Sequence, residues 1–261
     1  MIRVGLLIYK TCVIHLFKCK NLNSIFCLHE NMFEKTWKKG FYYFIIFVLV
    51  ILIPLIVMLG SGKYVMFDDK FYLESFENFG VYDYFSENGY SGSEINAVNS
   101  DLLDYFRSDL LIDDFESLNF FNAREKSHLV DVKNLVGALD CVLMLSVFLF
   151  LIFLGLLLYI YGIEGFKVLG WICLLGGLVV FLIVLLGFIG STQFDNTFNE
   201  FHYLFFEGDS WLFDPVEDNI IKLYPFDFFF LSFVRIVKIS MIFGVLVGIL
   251  GLVFFRISSF W

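Results

Sequence analysis

At 261 residues the chain is long enough for one large or two small soluble domains, but 59% hydrophobic residues and a mean hydropathy of +0.80 fit neither. The formal net charge of −9 comes with no basic stripe outside the N-terminal tail, and that tail lacks interleaved recognition chemistry, so nothing favours nucleic acid. The composition is that of an integral membrane protein.

The tail, 1–40, carries 7 Lys and Arg against 2 acidic residues, which predicts a cytoplasmic N-terminus. Cys12, Cys19 and Cys27 lie near His15 and His29, a set loosely suggestive of a metal site whose spacings match no compact zinc pattern. Met32 followed by FEKTWKKG reads as a short leader, so residues 1–31 are expected to be an extended start or an accessory tail.

Apolar runs of about 18 residues or more are read as transmembrane helices, because ~20 residues rising ~1.5 Å each cross a ~30 Å hydrocarbon core. Four runs qualify, at 41–59, 135–161, 171–190 and 236–255. The first contains Pro54, which removes one helical hydrogen bond and predicts a kink.

Between the first two runs lies 60–134, with 15 acidic residues against 6 basic ones, expected on the extracytoplasmic side. Its irregularly spaced aromatics, interrupted by Gly80, Gly89 and Gly92, predict short helices or extended pieces lying on the membrane. From Asn99 to Phe121 the spacing of Leu102, Leu103, Phe106, Leu110 and Leu111 predicts an amphipathic helix with its acids on a solvated face. Asn122, followed by Glu125 three positions later, predicts a capped helix start well before the second span.

On that helix Arg124, His128 and Asp131 fall on one face at i, i+4 and i+7. His128 precedes Leu135 by seven positions, roughly 10 Å above the hydrocarbon edge. Two readings are open: a histidine held in one tautomer by a nearby carboxylate and used as a base, or a surface histidine in an ordinary helix contact. Asp140, inside the second span, is either part of a polar site, a partner across the bundle, or a group reaching the headgroups.

A short cytoplasmic loop, 162–170, carries Lys167; the third span follows with Gly176, Gly177, Gly187 and Gly190 as close-packing positions. Next comes the segment 191–235, expected outside. Within it Asn199–Phe233 combines His202, seven carboxylates and two prolines with many aromatics, so it belongs at the membrane surface, as an interfacial anchor or as a functional loop. Asp209 and Ser210 after Gly208 suggest a tight turn, Asp214-Pro215 starts a short helix running to Leu223, and Phe226–Phe233 is expected to return along the interface to the fourth span. That span has Gly244, Gly248 and Gly251, and the 256–261 end with Arg256 is expected inside. Neither extracytoplasmic segment holds a cysteine, which excludes a disulfide-stapled ectodomain.

His128 and His202 therefore stand above the same membrane face beside carboxylates, a pattern that makes either a general base with its partner or half of a metal site. The stretch Arg124-Glu125-Lys126-Ser127-His128-Leu129-Val130-Asp131, with Phe201-His202-Tyr203-Leu204-Phe205-Phe206 through Asp209, Trp211, Asp214-Pro215, Asp218-Asn219 and Tyr224-Pro225, resembles a four-helix membrane family that includes a bacterial lipoprotein intramolecular transacylase. The resemblance covers about 32–255, with Phe226 standing where a Glu is expected.

The resemblance implies an all-α integral membrane protein, four transmembrane helices under an extracytoplasmic cap built from 60–134 and 191–235. It implies an activity that moves the sn-2 acyl chain of a diacylglyceryl lipoprotein onto its N-terminal amine, with His128 and His202 as catalytic residues. Arg124 and Trp211 are candidate oxyanion donors, and Asp131, Asp140, Asp209 and Asp214 are the supporting carboxylates. This reading calls for no cofactor and no metal; its partners are membrane lipid and a lipid-anchored protein, and its place is the cytoplasmic membrane with both termini inside. A metal-dependent membrane hydrolase and a non-enzymatic lipid-binding scaffold are the alternatives.

Overall fold

The computed structural model describes residues 22–206, 208 and 210–259, with side chains from residue 39 onward. Cys12, His15, Cys19 and Asp209, singled out from the sequence, lie outside that description, as do the side chains of Cys27 and His29. Leu49–Trp261 forms one compact unit, and every contact described below lies within it.

Four long helices, Leu22–Met66, Ala123–Tyr161, Glu164–Gly190 and Phe226–Ser258, are the first to fourth membrane helices. Each is long and apolar enough to cross a bilayer, and no strand occurs among the described residues. The protein is an all-α, multi-pass membrane protein, as its composition requires.

The third and fourth helices meet through glycines. A Cβ on Gly177 would stand 2.8 Å from the Gly244 carbonyl oxygen, and one on Gly251 would stand 2.8 Å from that of Gly170. Backbone approach of this kind replaces the hydrophobic drive that lipid removes. The third helix also lodges Ile53 of the first against Gly176.

Before the second membrane helix come Asp69–Asn78, Val81–Glu87 and Gly92–Arg107, then 3-10 turns at Ile112–Asp114 and Glu116–Phe120. Gly80 and Gly89 separate the three helices with φ of +67° and +89°, a region that L side chains rarely adopt. The third does not begin at Asn99: Ser91 and Glu94 form a capping box that starts it at Gly92. Nor does it reach Phe121, because Ser108 turns extended and leaves Leu110 and Leu111 exposed, while Leu102 and Leu103 are buried.

These helices share one core, built on Phe71, Phe76, Phe85, Ile95 and Leu103, with Leu129 from the second membrane helix and Leu223, Tyr224 and Phe228 from the late segment. The Tyr224 hydroxyl donates to the Asn99 side-chain oxygen at 2.9 Å inside it. Segments far apart in sequence thus bury one apolar volume and form a single helical cap.

Three further expectations are corrected by packing. The connection after the second helix is a short turn at Gly162, and the third helix starts at Glu164, so Lys167 is helical. Beyond Gly190 a 3-10 turn leads into a helix, Phe194–Phe205. The aromatic run Phe226–Phe233 belongs to the fourth helix, since Pro225 sets its start and Phe228 anchors it in the cap core.

Candidate functional site

The second membrane helix begins where Asn122 accepts the Arg124 and Glu125 amides while the Glu125 carboxylate accepts the Asn122 amide at 2.7 Å. This cap fixes the rotation of the first two turns. It turns Glu125, His128 and Leu129 inward, and all three are buried.

Glu125 is almost wholly enclosed, yet its other oxygen accepts the Ile220 amide at 2.6 Å. Burial pushes its carboxyl above the usual range, against the pull of the amides of Asn122 and Ile220. Alongside it Asp218 accepts from the Asn122 amide nitrogen at 2.7 Å, from Arg124, and from the Asp214 backbone at 2.6 Å. Asn219 closes the set by donating to the Phe120 carbonyl at 2.9 Å. The loop after residue 206 is therefore bound onto the second helix by two buried carboxylates that water does not reach.

This network explains why no helix runs from Asp214 to Leu223. The Asp214 carboxylate caps Val216 at 2.7 Å, but Asp218 and Glu125 capture the amides of Asp214 and Ile220, leaving a turn and a short helix, Ile220–Leu223. Held this way, Phe213 lies against His128 at 5.3 Å between ring centres, and the Arg124 guanidinium covers the Phe213 ring at 5.6 Å.

His202 comes from the helix Phe194–Phe205. Its Nδ1 lies 2.7 Å from the Phe198 carbonyl oxygen, which can only accept, so Nδ1 carries the proton and Nε2 the lone pair. Trp211 and Phe206 pack on its ring at 4.9 and 5.4 Å. The His128 and His202 ring centres are 6.2 Å apart, with their planes 24° from parallel.

Burial holds both imidazoles neutral. His128 falls from 6.5 to about 4, chiefly by desolvation and secondly through the charge of His202; His202 is lowered by desolvation against the opposing hydrogen bond to Phe198. Three polar atoms of these segments are buried without a hydrogen-bond partner: His128 Nδ1, Nε1 of the Trp211 ring packed on His202, and Oγ of Ser210, next to Trp211 in the chain. The arrangement offers two proton carriers and two neutral donors in an aromatic setting, as acyl transfer needs.

The other residues singled out from the sequence sort differently. Trp211 stands at the pair. Arg124 is committed to Asp218, and Asp214 shapes the loop turn. Asp131 makes no hydrogen bond to His128, so the carboxylate expected to orient that ring does not do so. Asp140 lies twelve positions beyond His128 on the same helix, ~18 Å along its axis, and pairs with Lys63 at 2.6 Å. Among the described residues no three His, Cys, Asp or Glu side chains converge as metal ligands. The buried Ser210 hydroxyl, read from the sequence only as part of a turn, and the loop-binding role of Glu125, Asp218 and Asn219 escape sequence reasoning; the signals available were the capping spacing of Asn122 and Glu125 and the place of Asp218-Asn219 in the resemblance.

The model of the lipoprotein intramolecular transacylase Lit family matches residues 46–229. The chain belongs to the Lit family. A curated relative, an uncharacterised protein of Aquifex aeolicus, is 30% identical over 142 residues; the match takes in 52% of this chain and 60% of the relative's length. The fold is similar to the solved structure of the membrane integral lipoprotein intramolecular transacylase Lit from Bacillus cereus, with a TM-score of 0.74 at 19% identity, covering 85% of this chain and 100% of that one. A variant of that protein with one histidine replaced by arginine aligns at 0.70 and 21%, covering 87% and 96%. Lit membership rests on the match over 46–229, and the likeness to the solved structures concerns the fold.

Proposed function

We propose that the protein is a lipoprotein transacylase that moves an acyl chain from the glyceryl ester of a lipid-anchored protein to its N-terminal amine at the outer leaflet. The observation that carries this reading is the approach of the two neutral imidazoles to 6.2 Å among the packed rings of Phe206, Trp211 and Phe213 in a Lit-family chain.

In this reading the α-amine attacks the ester carbonyl and His202 accepts its proton at Nε2, the nitrogen left free by the Phe198 contact. The developing oxyanion takes hydrogen bonds from Trp211 Nε1 and Ser210 Oγ, which have no other partner. The C–O bond then breaks, and the departing glyceryl alkoxide receives a proton from the histidine pair while the new amide forms. Protonating one ring disfavours the other, so a single proton serves both steps. Burial supports this chemistry, because it keeps the base neutral and makes every donor count for more.

Incubation of the reconstituted protein with a synthetic diacylglyceryl lipopeptide tests the reading by tandem mass spectrometry. The expected product keeps its total mass, carries one acyl group on the N-terminal nitrogen and has a free glyceryl hydroxyl. Release of free fatty acid instead would overturn it in favour of a hydrolase.

A further inference from the structure

A second site lies away from the histidines, where the first and second membrane helices emerge into the cap. Here a cavity of about 760 Å³ opens between Lys63 and Tyr64 at the end of the first helix, Asp140 on the second, and the cap residues Phe67–Lys70 and Phe106–Arg107. It shares no lining residue with the histidine pair. Three cations, Lys63, Lys70 and Arg107, face three carboxylates, Asp68, Asp69 and Asp140.

The partners of these groups matter. Asp68 is tied to Arg235 and caps Phe71, so it is structural. Arg107 bonds Asp104 at 3.1 Å and the Phe67 carbonyl at 3.4 Å, and lies over the Phe67 ring. Lys70 reaches Glu74 at 3.4 Å on an exposed helix face. The Lys63–Asp140 pair is half-exposed, a setting in which ion pairs brace a fold weakly.

Asp140 is nonetheless a carboxylate inside an apolar run, where charge is costly and marks a site more often than a brace. One and two turns further along the same face of that helix, Met144 and Val147 are exposed and apolar. Tyr64, Phe67 and Phe106 supply the aromatic wall found at headgroup depth.

We propose that this cavity holds the headgroup of a zwitterionic glycerophospholipid bearing a primary amine. Its phosphate is taken by Lys63 and Arg107, its ammonium by Asp140 and Asp69, and its acyl chains run down beside Met144 and Val147. The balance of charge selects the ligand class. A headgroup that is only anionic leaves the carboxylates unpaired, and a quaternary amine cannot donate hydrogen bonds to them.

Native mass spectrometry of the purified full chain, loaded with phosphatidylethanolamine, phosphatidylcholine or phosphatidylglycerol of identical acyl chains, tests the proposal. Phosphatidylethanolamine should be retained best. Losing one charge-assisted hydrogen bond in Lys63→Gln, Arg107→Gln or Asp140→Asn should weaken retention about tenfold. Lys70→Gln, on the exposed rim, should have a smaller effect and serves as a folded control should a variant at Arg107 lose its fold.

Equal retention of the three lipids, preference for phosphatidylglycerol, or unchanged retention in all variants would overturn it. Soluble glycerophosphoethanolamine competing as well as the lipid would also overturn it, pointing to a small phosphate ester as ligand. The readout is lipid mass, so it fails or succeeds independently of acyl transfer.

Discussion

The buried carboxylate of Glu125 accepts the backbone amide of Ile220, 95 positions later, at 2.6 Å. Through this bond the second membrane helix holds the loop that carries Trp211 and Phe213 to the two histidines. Glu125→Ala leaves the Asn122 and Ile220 amides without their acceptor, at a cost of about 2–4 kcal/mol. Thermal unfolding in detergent should show a clear drop in Tm, with activity falling along with it. An unchanged Tm would mean that the loop is held by Asp218 alone.

His128→Ala and His202→Ala should each reduce turnover ~10²-fold or more with the protein still folded. Because the two rings handle one proton, the double variant should be little worse than either single. Near-normal turnover in either single variant would rule out a shared role.

The pH response follows from burial of His128. Between its ordinary value of 6.5 and about 4 in the folded protein, the unfolded chain binds the proton and the folded chain does not. Stability is therefore complete above 6.5, declines as pH falls through that window, and levels off near 4; His202 is lowered in the same direction. Tm measured against pH should show this decline, and His128→Asn should flatten it. Turnover should show no histidine step near 6.5, and should rise instead as the substrate α-amine loses its proton near ~8.

Gly177→Leu should prevent the third and fourth helices from meeting, since even a Cβ there falls 2.8 Å from the Gly244 oxygen. Gly137→Ala, with nothing within 4 Å, should be neutral or stabilising by up to ~1 kcal/mol. Chemical denaturation in mixed micelles separates the two, and equal behaviour would show that the glycine contact is dispensable.

The charge asymmetry predicts that the cap faces outward with both termini inside. Ser93→Cys and Val216→Cys are both on exposed positions and should react with an impermeant maleimide on intact cells, in a background lacking the native cysteines. Reaction only after the membrane is opened would invert the topology.

The four apolar runs were legible in the sequence because a bilayer demands ~20 apolar residues whatever surrounds them. The caps at Asn122 and Glu125 were legible for a similar reason: a helix end satisfies its amides within three positions. His128 and His202 could be named as candidates from their company of aromatics and acids. Their distance could not, for it depends on how a loop 95 positions away is tied down. Glu125 read as a cap and proved also to be the tie to Ile220, and Asp131 read as the partner of His128 and makes no hydrogen bond to it. The run from Phe226 read as an interfacial loop and is helix, because Phe228 finds its place in a core assembled from Phe71, Tyr72 and Tyr224. Length, period and caps are local and survive in the sequence; the partner of a buried carboxylate and the facing of two imidazoles are fixed only when distant segments compete to bury the same apolar volume.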